Sequence, residues 1–203
     1  MEVLDHRVAI LFGSNILPEF YLRLAVERVN QILTPIAVSS AWESAAVGSA
    51  GPNFLNTIGL YLTNFDQETL KYDVLRSIES QMGRVRQVDK FAPRTIDLDI
   101  ILWDGVELES DLWRYVHVTV PFIEVMQLLN PNTALMLEEF RRRQQRQLII
   151  RREDVLKAIL TPGHPKEIAQ GYIPESMSFK ASWMNSATSI APGFSPERIR
   201  NAT

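Results

Sequence analysis

The stretch Glu79-Ser-Gln-Met-Gly-Arg-Val-Arg-Gln-Val-Asp-Lys-Phe-Ala-Pro-Arg-Thr-Ile-Asp-Leu-Asp99 changes physical character twice along its length. Glu79 closes an amphipathic helical run that ends at Gly83, a residue able to take the left-handed conformation that terminates helices. Arg84, Arg86, Lys90 and Arg94 then crowd a short loop containing Pro93, with Asp89 as their one acidic offset. Thr95 to Leu102 reads as a strand, in which Asp97 and Asp99 lie two apart and so point to the same face.

Two carboxylates on one sheet face repel each other and lose hydration if buried together, an arrangement usually maintained by a cation. Magnesium fits best: the ligands in reach are oxygens, and this hard ion commonly shares its remaining positions with water and substrate phosphates. Guanidinium groups recognise phosphate through forked hydrogen bonds, so the neighbouring arginines suit the same ligand. The acid pair beside the basic loop therefore predicts a metal–polyphosphate site. The bland alternative is a strand whose aspartates face water, beside a loop solvated by its own charges.

Outward from this stretch the elements alternate. Val8 to Phe12 is an apolar run stopped by Gly13-Ser-Asn15, which fits a central strand and a turn. From Phe20 to Leu33, Leu22, Leu24, Ala25, Val29 and Ile32 recur at helical spacing, with Pro18 just ahead where proline is tolerated. Ile36 to Trp42 reads as a second strand, Ser44 to Asn53 as a loop of small residues, and Phe54 to Leu62 as a third strand. Asp66 is a reasonable N-cap for a helix carrying Leu70, Val74, Leu75, Ile78 and Met82. The order β-α-β-β-α-β predicts an α+β, ferredoxin-like core and puts Asp97 and Asp99 on a central element.

Composition sets wider bounds. A 203-residue chain, 46% hydrophobic and 22% charged, suits a soluble globular domain with an appendage. A net charge of −3 argues against general nucleic-acid or membrane-surface binding. With no cysteine and three scattered histidines (His6, His117 and His164), disulfides, thiolate chemistry and a zinc site are not expected. No cationic lead precedes Val8–Phe12, and that run is too short for a signal peptide or a span, so a cytoplasmic protein is expected.

Gly83-Arg84-Val-Arg86 and Pro93-Arg-Thr-Ile-Asp-Leu-Asp-Ile100 resemble the signature of the 6-hydroxymethyl-7,8-dihydropterin pyrophosphokinase family, with the likeness running from about Val8 to Leu102. The resemblance implies transfer of the terminal two phosphates of ATP to the pterin's hydroxymethyl group in folate synthesis. It implies two magnesium ions on Asp97 and Asp99, and Arg84, Arg86 and Arg94 as catalytic cations. Pterin contacts would come from Ser44, Val47, Phe54, Asn56 and Glu79, and nucleotide contacts from Arg84, Phe91, Arg94 and Ile100. Alternation places Phe54 and Asn56 on one face, an aromatic platform beside a bidentate amide; apart from the resemblance, a core phenylalanine beside a turn asparagine is the simpler reading. Ser44-Ala45 departs from the family's Thr-Pro at this loop.

After Gly105 the likeness fails. The family continues to a Pro-His segment, a catalytic arginine and an aromatic, whereas here Asp111-Leu-Trp-Arg-Tyr-Val-His-Val-Thr-Val-Pro121 reaches a comparable proline several residues too soon. A deletion of the second phosphate-binding arm is the simplest account, with Arg114 and His117 as candidate replacements and Val118 to Val120 as plain strand or connector. The alternative function is a non-catalytic pterin- or nucleotide-binding homologue whose tail docks a partner. Residues 1–132 form the pyrophosphokinase-like unit in this reading and 133–203 an extension. Within that extension a basic helix is expected over Leu137–Leu148, a further helical segment over Asp154–Leu160, and an extended or disordered tail after Pro162-Gly163.

Overall fold

The computed structural model describes residues 5–47, 51–86, 88–89, 92–108, 112–129 and 149–156. Phe91, the expected basic helix over 137–148 and the tail beyond 156 lie outside the described residues. Strand β1 is His6–Ser14, α1 Pro18–Ile32, β2 Thr34–Val38, β3 Ala41–Ser44 and β4 Phe54–Thr63. A continuous helical run then comprises α2 (Gln67–Thr69), a π-helical segment (Leu70–Leu75) and α3 (Arg76–Gln81). After it come β5 (Asp97–Trp103), β6 (Val106–Glu107), α4 (Val116–Leu129) and β7 (Ile149–Arg152).

The strands form one antiparallel sheet in the order β6-β5-β1-β4-β3-β7, with β2 also on β4. The expected second strand, Ile36–Trp42, is thus two strands, broken at Ser39-Ser40. The break is held by hydrogen bonds: Ser39 Oγ accepts from the Ile58 amide at 3.0 Å, and the Ser40 amide donates to Glu124 at 3.0 Å. β1 and β4 are the central strands. β5 lies one strand out, flanked on its far side among the described residues by β6 at Leu102 and Trp103 and by the Leu108 amide at Ile101, so Asp97 and Asp99 are less central than expected.

Alternation sorts the side chains. Val8, Ile10 and Phe12 pack with Leu98 and Ile100 against Leu22, Ala25, Val26 and Val29 of α1 and against Leu70, Leu75 and Ile78. The spacing of the four α1 residues makes the single apolar stripe expected of a helix lying on a sheet. On the other face Ala9, Ile58, Leu60 and Ile101 pack against Val118, Phe122, Val125 and Met126 of α4. Full burial of a leucine- or phenylalanine-sized side chain is worth about 1.5–3 kcal/mol, so these two layers carry most of the domain's stability.

Two expectations fail here. Val118–Val120 is helical, although β-branched residues have modest helix propensity. Burial decides: Val118 and Phe122 reach one cluster, Val116, Val120 and Ile123 another, and Thr119 Oγ1 donates to the Tyr115 carbonyl at 3.0 Å. In the described part of 154–160, Asp154–Leu156 is turn and bend rather than helix. The chain leaves β7 there, and Arg152 pairs with Asp154 at 3.0 Å across the turn.

Candidate active site

Sheet register builds the cleft. Gly13 stands opposite Asp97 on one side and Asn56 on the other, Asn56 opposite Trp42, and Ser44 opposite Phe54. The row Asp97–Gly13–Asn56 therefore presents a carboxylate and an amide across a residue with no side chain. A Cβ at Gly13 would lie 3.2 Å from Asn56 Oδ1 and 3.9 Å from Phe54 Cδ1, so the glycine keeps the floor open. The cleft encloses about 440 Å³; besides this row, Phe54, Asp99, Arg94, Tyr115 and His117 line it. Ser44 and Val47 line it as well.

Asn56 is buried, and its Nδ2 donates to Ser44 Oγ at 3.2 Å, which fixes the amide plane. The Arg94 guanidinium lies 5.9 Å from the centre of the Phe54 ring. Phe54 and Asn56, which the sequence alone left open between pocket and core, are both at the cleft.

The two aspartates share a face, as alternation predicts, and their repulsion is met by arginines. Arg94 pairs with Asp97 through Nη1, and Arg84 Nη2 lies 3.6 Å from the same carboxylate. All three side chains are mostly buried, at 14%, 10% and 24% exposure for Arg94, Arg84 and Asp97. Gly83, at φ 74°, ends α3 and turns the chain so that the Arg84 amide donates to the Glu79 carbonyl at 3.0 Å. Arg84 Nε is buried without a hydrogen-bond partner, an unmet donor beside the acid pair.

Gly13-Ser14-Asn15, a turn with little meaning by itself, anchors Arg94. Asn15 Oδ1 accepts from the Arg94 amide at 2.7 Å, and the amides of Asn15 and Ile16 donate to the Arg94 carbonyl at 3.1 and 3.2 Å. Ser14 Oγ donates to the Thr95 carbonyl, completing the clamp.

The expected site residues Ile100, Glu79, Arg86 and Arg114 do not line the cleft. Ile100 faces the helix-side core, because alternation turns it away from Asp97 and Asp99. Glu79 is buried beneath β5 rather than solvated or lining the cleft: Oε1 accepts from the Leu98 amide at 2.8 Å and Oε2 pairs with Arg86 at 3.0 Å. It satisfies the outer edge of β5 where β6 does not reach, and burial pushes its carboxyl above the ordinary range. Arg86 is thereby committed to Glu79 at the edge of the site. Of the two candidate replacements, His117 enters the cleft, stacked on Tyr115 at 5.4 Å. Arg114 is exposed, with its guanidinium 5.1 Å from the Tyr115 ring. Tyr115, which sequence reasoning missed, is signalled only by its place two residues before His117.

The residues fit magnesium as far as the protein supplies ligands: two carboxylates on one strand face beside cationic groups, the remainder being left to water and phosphate oxygens. Among the described residues no cluster of three or more acidic, histidine or cysteine side chains offers a complete protein cage.

Comparison with known proteins places the chain in a family. Residues 9–131 match the family model described as 7,8-dihydro-6-hydroxymethylpterin-pyrophosphokinase. The chain is 33% identical over 130 residues to the 2-amino-4-hydroxy-6-hydroxymethyldihydropteridine pyrophosphokinase of Bacillus subtilis, covering 58% of this chain and 77% of the relative. With the protein of the same name from Pseudomonas aeruginosa it shares 35% over 115 residues, 55% of this chain and 70% of the relative. The Aquifex aeolicus counterpart is 30% identical over 114 residues, covering 55% and 68%. The match takes in every described residue that lines the cleft, and on that ground the chain belongs to the 7,8-dihydro-6-hydroxymethylpterin-pyrophosphokinase family.

Proposed function

We propose that the protein catalyses magnesium-dependent transfer of pyrophosphate from ATP to 6-hydroxymethyl-7,8-dihydropterin in folate biosynthesis. The observation that carries this reading is the row Asp97–Gly13–Asn56, which sets a carboxylate and an amide across an open floor in one cleft, with Asp99 and Phe54 lining the same cleft. The flat heterocycle stacks on Phe54 and exchanges hydrogen bonds with the Asn56 amide, whose orientation Ser44 holds. Its hydroxymethyl oxygen attacks the β-phosphorus of ATP. The bond from that phosphorus to the oxygen bridging to the α-phosphate breaks, AMP leaves with the electron pair, and the hydroxyl proton passes to solvent.

Magnesium on Asp97 and Asp99 would neutralise the phosphates and hold them for in-line displacement. Arg84 and Arg94, which rest on Asp97 in the free protein, supply further positive charge once that carboxylate is occupied. Among the described residues of 112–121, His117 enters the cleft and Arg114 does not, so that segment aims no arginine at the developing charge. Loss of one such donor typically lowers the rate by about 10² to 10³, so slow turnover with near-normal ligand binding follows. The test is AMP formation from ATP with the pterin and magnesium. Formation that needs all three supports the reading, and pterin-independent ATP hydrolysis or no AMP at all overturns it.

A further inference from the structure

We propose that Arg152, on β7 beyond the family-matched residues 9–131, is a positioning residue for the pterin pocket, acting through Glu43 and Asn53. The inference rests on the pterin reading of the cleft. β7 pairs antiparallel with β3, setting Arg152 opposite Ala41 and Ile150 opposite Glu43. From there Arg152 Nη1 donates to Glu43 Oε2 at 3.1 Å, while Asn53 Nδ2 donates to Glu43 Oε1 at 2.9 Å. One carboxylate thus joins the two stems of the segment between β3 and β4. Glu43 immediately precedes Ser44 at the cleft rim, and Asn53 immediately precedes Phe54, the stacking platform.

Arg152 is itself held. Its Nε and Nη2 donate to Asp154 at 3.2 and 3.0 Å, and Nη2 also pairs with Glu19 of α1. The relay therefore runs from the helix layer through β7 to the rim of the cleft. The Asn53 amide, with Arg152 assisting, holds the Glu43 carboxyl below the ordinary carboxylate range, so the relay stays charged at neutral pH. A second cavity of about 480 Å³ lies against these stems, lined by Glu43, Ser44, Val47, Asn53, His117 and Ile150. The β3–β4 ladder pairs Ser44 with Phe54, and beyond that last pair, with open space on one side, the polar ties at the stems restrain how the two strand ends sit.

The test uses the full chain with Arg152→Ala, Arg152→Lys, Asn53→Ala and the Arg152→Ala/Asn53→Ala double variant. Arg152→Ala is expected to raise the Kd and KM for the pterin about tenfold, the scale of a lost supporting contact, with ATP affinity and kcat nearly unchanged. Arg152→Lys, which retains one donor, is expected to recover part of that loss. The double variant is expected to be no worse than the poorer single one, because both cut the same relay. Equal loss for pterin and ATP, additive single effects, or an unchanged pterin Kd would overturn the proposal. Amide hydrogen exchange without ligand separates it from the pterin reading. Faster exchange confined to residues 43–47 and 53–54 in Arg152→Ala supports the relay even if the wild-type chain binds no pterin, and unchanged exchange there refutes it.

Discussion

Replacing Asp97 by asparagine tests the charge logic of the cleft most directly. Viewed as one of a like-charge pair, the residue should cost nothing to neutralise, since removing one of two neighbouring carboxylates relieves repulsion. The structure reverses that expectation, because Asp97 is the counter-ion of both Arg94 and Arg84. At 4 Å and an effective dielectric of about 20, one such pair is worth about 4 kcal/mol before desolvation. Burial of the three side chains removes most of that gain, and exposed pairs retain only about 0.2–1 kcal/mol. Asp97 stands between these limits, and its two contacts together are expected to contribute about 1–2 kcal/mol. For a chain of this length that corresponds to a fall in Tm of roughly 2–8 °C. The assay is thermal unfolding at pH 7 without metal or nucleotide, followed by calorimetric titration of ATP with and without magnesium. Asp97→Asn should unfold earlier and lose the magnesium-dependent part of nucleotide affinity. An Asp97→Asn protein as stable as the wild type, or one that still binds ATP more tightly with magnesium, would refute the assignment.

Phe54→Ala is expected to weaken pterin binding by about 1–3 kcal/mol, the scale of stacking on an aromatic platform, with a much smaller change for ATP; calorimetry with each ligand decides. Gly13→Ala should place a methyl group against Asn56 Oδ1 and lower pterin affinity by roughly 1 kcal/mol while the circular dichroism spectrum is unchanged. Glu79→Gln tests a pH dependence. A carboxyl whose folded pKa is raised binds its proton more readily in the folded state, so stability from this group is lost as pH rises above the ordinary value of 4.5. The glutamine variant lacks that loss. Urea unfolding at stepped pH should show the difference moving in the variant's favour from pH 4 to pH 7. A difference that does not change with pH would contradict the raised value.

Several features were legible because they depend on short-range rules. Period-two alternation was enough to set Asp97 and Asp99 on one face, and helical spacing to find the buried stripe of α1. Gly83 could be named as a helix terminator from its chemistry, and its φ of 74° agrees. Alternation likewise puts the Ile100 side chain on the opposite face from the aspartates, where it is found in the core.

What the sequence by itself determined is the α+β order of elements, the family, and the residue types that can meet phosphate, metal and heterocycle. Tertiary structure alone decided which of these groups meet. Asp97 and Arg94 are three residues apart, but Asn15, which holds the Arg94 backbone, is 79 residues away. Glu79 becomes an edge ligand of β5 only once α3 lies beneath the sheet. Val118 to Val120 are helical because two apolar clusters bury them, and Arg152 reaches Glu43 only because β7 returns across 109 residues to pair with β3. Local preferences amount to tenths of a kcal/mol per residue, whereas burial of a large apolar side chain or pairing of a desolvated charge is worth one or more. Where the two disagree, the long-range term prevails, and it cannot be computed until the chain has closed on itself.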